Sequence, residues 1–190
     1  MQSIILASQS PRRQELLHRI TDDFEVIVSN ADEILPGGIS PEEAPVCLSA
    51  VKARAVAESH PDKLIIGADT VVILDGRILG KPRDKDDAFA MLRALSGKTH
   101  TVVTGCSIIK DGRERSFGES TQVEFYPLSD REIEDYIASG EPFDKAGGYG
   151  IQGKGSLFVK GITGDYFNVM GLPVGRLNRE LKAFLSADND

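Results

Sequence analysis

Residues 64–74 read LIIGADTVVIL, an apolar run in which only Asp69 and Thr70 are polar, and Asp75-Gly76 follows at once. A short apolar run rich in β-branched residues predicts a buried strand, and Asp-Gly predicts a tight hairpin returning through RILGKP. Asp69 is the anomaly. A carboxylate in a buried run is costly unless it is paired. Read as chemistry, it is a metal ligand or a general base. Read as structure, it is a strand-end aspartate capping the next turn. The return strand brings Thr70 and Lys81 to about the same level, so Asp69 and Lys81 are expected to face one cleft.

The flanking segments alternate between strand and helix. SIILAS predicts a buried strand, and Ser10-Pro11 predicts a helix start, with Leu16, Leu17 and Ile20 as its apolar stripe. FEVIVSNADE predicts a strand ending in Asp32 and Glu33. Ser40 and Glu43 have capping-box spacing ahead of a helix through VCLSAVKARAVAE. Asp84 and Gly97 bracket another helix, and Ser129 and Glu132 box a third that stops at Gly140. Two strands, THTVVTGCSIIK and STQVEFYPL, flank an Asp111-Gly112 turn. SLFVK predicts a further strand, and a last helix spans roughly 174–185. Hairpins among alternating strands and helices predict an α/β fold with a mixed sheet. The whole chain, 1–190, is expected to be one domain, with 185–190 as a frayed tail.

Charge narrows the ligand. A formal net charge of −7 argues against binding a nucleic-acid polymer. It permits one small anion held by local cations, and a divalent metal held by carboxylates. No apolar run is long enough to span a membrane. MQSIILASQS lacks a charged leader, and the two cysteines, Cys47 and Cys106, form no CxxC pair. These features predict a cytoplasmic protein.

Arg12 and Arg13 stand in the first turn of the Ser10 helix, where the helix dipole disfavours a cation. They are well placed if an anion arrives there, because amides and guanidinium groups then act on the same charge. Glu33 could join Asp69 around Mg²⁺ or Mn²⁺, which prefer oxygen ligands. Lys52, on a helix near Arg54, reads by default as exposed surface. The glycine-rich KAGGYGIQGKG lets backbone approach a ligand closely, and Gln152 within it carries a donor and an acceptor suited to a pyrimidine edge. His18, His60 and His100 share no metal-binding spacing. No GxxxxGK[ST] or GxSxG occurs. The DxDxT motif of aspartyl-phosphate phosphatases fails at Val71, which stands where its second aspartate is required.

Seven segments in order, LASQSPRRQELL, SNADE, AVKARAVA, IIGADTVV, GKPRDKDDAFAMLRALSGKTHTVVTG, EPFDKAGGYGIQGKG and GDYFNVMGLP, resemble the Maf family of nucleoside triphosphate pyrophosphatases over nearly the whole chain. GADTVV and KAGxYGIQG resemble its dTTP/UTP pyrophosphatases, with Gly148 standing where that motif usually has alanine. The resemblance implies a Maf/ITPase-like α/β fold, with a central mixed β-sheet, flanking helices and two lobes around a cleft. It implies hydrolysis between the α and β phosphates with a divalent metal, Mg²⁺ or Mn²⁺. Carried over by position, Asp69 matches the proton acceptor, and Arg12, Thr70 and Gln152 match the positions tied to base specificity. Ser8, Arg13, Glu33, Lys52 and Lys81 match the cluster around phosphate and metal. Family members are often homodimers. A non-catalytic nucleotide sensor acting on septum formation is the alternative the family also implies. A sister activity on modified purine triphosphates would require other residues at positions 12, 70 and 152.

Overall fold

The computed structural model describes residues 4–187. Ser3 of the first predicted strand and residues 188–190 of the predicted tail lie outside them. The chain begins β1 (Ile4–Ala7), α1 (Pro11–Leu17), β2 (Phe24–Val26) and α2 (Ala44–Ala57). Next come β3 (Leu64–Leu74), β4 (Arg77–Leu79), α3 (Lys85–Leu95), β5 (Thr99–Lys110), β6 (Arg113–Phe125) and α4 (Asp130–Ala138). Short 3-10 turns over Glu141–Asp144, Ala146–Gly148 and Lys154–Phe158 lead to β7 (Val159–Thr163), α5 (Tyr166–Met170) and α6 (Val174–Ser186).

The sheet order is β2-β1-β3-β5-β6-β7, with β4 paired to β3 off this path. It is mixed: β1 runs parallel to β2 and β3, while β3/β4 and β6/β7 are antiparallel. Both Asp-Gly turns form as predicted. Asp75 and Asp111 each take φ 50°, followed by Gly76 at 74° and Gly112 at 76°. Positive φ at both central residues matches the twist of the flanking strands.

Two compact units interleave along the chain. The first comprises Met1–Asp69, Thr104–Glu119 and Gly171–Asp190; the second comprises Thr70–Val103 and Ser120–Met170. In the first, Ile5, Ala7 and Ile65 from the sheet pack with Ala53 and Val56 of α2. Two glycines let α2 approach that closely. A Cβ on Gly67 would lie 2.3 Å from the Ser49 carbonyl oxygen, and one on Gly105 would lie 2.2 Å from the Pro45 carbonyl oxygen. In the second unit, Leu92 and Leu95 of α3 and Ile133 and Tyr136 of α4 pack with Val72, Val102, Val123 and Phe125. Asp84 accepts from the Asp87 N–H to cap α3, and Ser129 and Glu132 close a reciprocal box on α4.

Four local expectations change. α1 stops at Leu17, and the Ser10 side chain does not cap it; the Ser10 N–H donates instead to Ser8 Oγ at 3.3 Å. β2 ends at Val26, well before Asp32 and Glu33, because its partner β1 is only four residues long. Ser40 and Glu43 do form the reciprocal box, but on a turn that precedes α2, which carries Pro45 in its first turn. Most of SLFVK is 3-10 rather than strand. The residues leading into it are held by a carboxylate from elsewhere in the chain: the N–H groups of Lys154 and Gly155 donate to Glu141 and are lost to any ladder.

Candidate active site

Asp69 is paired. Lys52 Nζ lies 2.6 Å from Asp69 Oδ1 and 3.1 Å from Glu33 Oε1, so one ammonium bridges two carboxylates. The close seating of α2 over Gly67 puts Lys52 within reach of the strand. The Lys52 and Asp69 side chains are only 16% and 13% exposed, whereas Glu33 is 54% exposed. Screening is therefore weak within the inner pair and strong on the Glu33 side. Lys52 is not the exposed surface lysine that its helix position suggests.

Arg13 joins the same unit. Its Nε donates to the Gly171 carbonyl at 2.8 Å, and its Nη1 donates to Ser8 Oγ at 3.2 Å. Burial lowers the Arg13 pKa from its ordinary value, the charge of Asp69 raises it again, and Arg12 and Glu33 exert smaller opposing effects. A guanidinium titrates so high that Arg13 stays cationic throughout. Cys106, fully buried, has its thiol pushed up to about 12 by burial, against the pull of Arg13, and is inert as a nucleophile.

Among the described residues, no three His, Cys, Asp or Glu side chains converge as a metal site. Glu33 and Asp69 nonetheless converge on one positive charge, the Lys52 ammonium. Mg²⁺ commonly takes one or two carboxylates and completes its shell with water and substrate phosphate. The two acids therefore fit that demand as a donor pair.

Thr70, Lys81 and Gln152 belong to the second unit. The β3/β4 ladder ends at Val72↔Leu79, so the Thr70–Lys81 level lies just beyond its last pair. Lys81 and Gln152 are both exposed. The segments that carry them meet: the Gly147 N–H donates to the Gly80 carbonyl at 2.9 Å, and Gly147 sits against Val72 so tightly that a Cβ would come within 2.9 Å. Thr70 shares the Val72 face of β3 by strand alternation. Gly147 and Gly148 have φ of 69° and 72°, a region that favours glycine.

The loop glycines have a second role. A Cβ on Gly153 would lie 2.3 Å from Glu141 Oε1 and 2.5 Å from its Oε2. The close approach read from the sequence as serving a ligand is made here by a side chain of the same unit. His100 anchors the loop from β5, with Nε2 2.7 Å from the Tyr149 hydroxyl. Burial lowers its pKa from 6.5 to about 4.

A family model described as Maf-like protein matches residues 3–184. The chain belongs to the Maf family. Curated relatives from Bacillus cereus and Bacillus anthracis, both named dTTP/UTP pyrophosphatase, are each 53% identical over 184 residues, covering 97% of this chain and 96% of theirs. A HAM1 protein from Coxiella burnetii is a structural neighbour with TM-score 0.54 and 16% identity, over 96% of this chain and all of that one. It shows the fold alone.

Within this Maf chain, Ser8, Arg13, Glu33, Lys52 and Asp69 gather in the first unit, with Arg12 acting electrostatically on Arg13. Two participants escaped the sequence reading. The Gly171 carbonyl carries no side-chain signal. Glu141 had one, since it opens EPFDKAGGYGIQGKG, but nothing local says that its carboxylate folds back onto that loop.

Proposed function

We propose that this chain hydrolyses dTTP and UTP to the nucleoside monophosphate and pyrophosphate. One observation carries the activity: 53% identity, over 97% of the chain, to relatives named for that reaction. The geometry of the first unit supports it. Attack at a phosphate needs charge placed in advance more than covalent chemistry. Arg13 is held by Ser8 and Gly171, so its guanidinium need not be ordered when a phosphate arrives. Lys52 and Lys81 add positive charge for the remaining phosphates.

Glu33 and Asp69 are the donors for a divalent metal, Mg²⁺ or Mn²⁺, which when bound neutralises charge on phosphate oxygens. Asp69 accepts the proton of the attacking water, and the Lys52 ammonium, 2.6 Å from its Oδ1, holds the carboxylate in place. Water oxygen bonds to the α-phosphorus, the bond from that phosphorus to the bridging oxygen breaks, and pyrophosphate leaves. Thr70, Gln152 and Arg12 select the base. A site that hydrogen-bonds a base edge rejects a wrong base by leaving its own polar groups unpaired.

No helix among the described residues is long and apolar enough to cross a membrane. The reading takes 1–190 as one functional domain working on cytoplasmic nucleotide pools, with a homodimer as the assembly to test by sedimentation. The deciding experiment is a nucleotide panel with Mg²⁺ or Mn²⁺, scored by pyrophosphate release. The proposal expects dTTP and UTP to lead the panel. Binding without release of pyrophosphate would overturn it.

A further inference from the structure

A loop with glycine at 147, 148, 150, 153 and 155 should be poorly ordered, because glycine loses the most backbone entropy on being fixed. One carboxylate opposes that. Glu141 Oε2 accepts from the Lys154 N–H at 2.9 Å. Its Oε1 accepts from the Tyr136 hydroxyl at 3.0 Å and, more weakly, from the Gly155 N–H at 3.4 Å. The Tyr136 hydroxyl in turn accepts from the Gly150 N–H at 3.2 Å. The two anchored ends, Gly150 and Lys154–Gly155, bracket Gln152.

The glycines are shaped to this clamp. A Cβ on Gly153 would overlap the Glu141 carboxylate, one on Gly150 would come within 2.6 Å of Lys145 Cε, and one on Gly155 would lie 3.0 Å from the Tyr136 hydroxyl. Lys145 does not compete for the carboxylate: its Nζ donates to the Glu141 backbone carbonyl at 2.7 Å and to Asp144. Tyr136 is 2% exposed, and burial together with the charge of Glu141 raises its pKa, so it keeps the proton it donates.

We propose that Glu141 is the positioning residue for base selection, holding the 150–155 loop in the one conformation that presents Gln152 to the pyrimidine. The inference rests on the reading of Gln152 as a base-contacting residue. Glu141 acts through Gln152 and leaves the phosphate chemistry untouched.

The test is Glu141→Gln. It preserves shape, but both Glu141 oxygens face donors, and an amide must turn an N–H toward one of them. Pyrophosphate release is measured for dTTP, UTP and CTP with the wild type, Glu141→Gln, Gln152→Ala and the double variant. The expected result is a KM for dTTP and UTP raised about tenfold, with kcat within about threefold of wild type and a smaller preference over CTP. In the Gln152→Ala background the same change should cost less than about twofold in preference, because coupled residues are non-additive. Hydrogen exchange at the amides of 150–155 should quicken in Glu141→Gln. An equal loss on all three nucleotides, a loss confined to kcat, or additivity in the double variant would overturn the proposal. If Gln152→Ala erodes the preference and Glu141→Gln does not, Glu141 alone is misassigned. If Gln152→Ala leaves the preference intact, the reading of Gln152 falls, and the role of Glu141 falls with it.

Discussion

Asp69 and Glu141 are both carboxylates packed into the fold, and they are compensated in opposite ways. Asp69 faces an ammonium 2.6 Å away that also reaches Glu33. Glu141 faces a phenol and two backbone N–H groups. A pair of mobile charges can be shared with an incoming ligand, because a phosphate or a metal can take over either partner. A carboxylate satisfied by backbone donors cannot be shared without unfolding the loop that supplies them. The first arrangement suits chemistry, and the second suits shape.

That contrast is broken or sharpened by substitution. Asp69→Asn keeps the shape and removes the proposed proton acceptor, so turnover of UTP should fall by about 10³ with the fold intact by circular dichroism. Near-normal turnover would end its assignment as the base. Glu33→Ala removes the exposed acid, so activity at fixed metal should fall about 10- to 100-fold and recover in part as Mg²⁺ or Mn²⁺ is raised. Failure of metal to restore any activity would place Glu33 outside the metal shell.

On the structural side, Gly153→Ala drives a methyl group into Glu141 and should cost about 1–3 kcal/mol in denaturant unfolding. Gly37→Ala, which would meet nothing within 4 Å, should fall within about 0.5 kcal/mol of wild type. Equal effects at the two glycines would mean that the clamp is not tight.

A further effect concerns pH. His100 is held neutral with a pKa of about 4 and ionises at about 6.5 once unfolded. Between those values the unfolded chain binds more protons, so stability falls as pH is lowered through that window. From pH 6.5 to 5 the loss attributable to His100 is about 1–2 kcal/mol. Unfolding curves of His100→Phe should lack that share of the slope. An unchanged slope would show that His100 does not titrate as the structure requires.

Elements governed by neighbours in sequence were legible. The Asp75-Gly76 and Asp111-Gly112 turns, the Asp84 cap and the Ser129–Glu132 box depend on steric and hydrogen-bond preferences within four residues. β2 and SLFVK misled because their outcome rests on partners elsewhere: a short β1 in one case, the Glu141 carboxylate in the other. The candidate site shows the same division. Asp69 announced itself as a charge in an apolar strand, whereas Lys52 looked like surface until α2 was seated on Gly67.

By itself the sequence determined the alternation of strands and helices, the turns and the family. These follow from side-chain chemistry and short-range backbone preference. Only the tertiary structure decided which charges meet. Lys52 reaches Asp69 across 17 residues and Arg13 reaches Gly171 across 158. The Lys52–Asp69 pairing depends on how closely α2 settles on the sheet, and Gly67 and Gly105, which lack the Cβ that would collide with it, allow that approach.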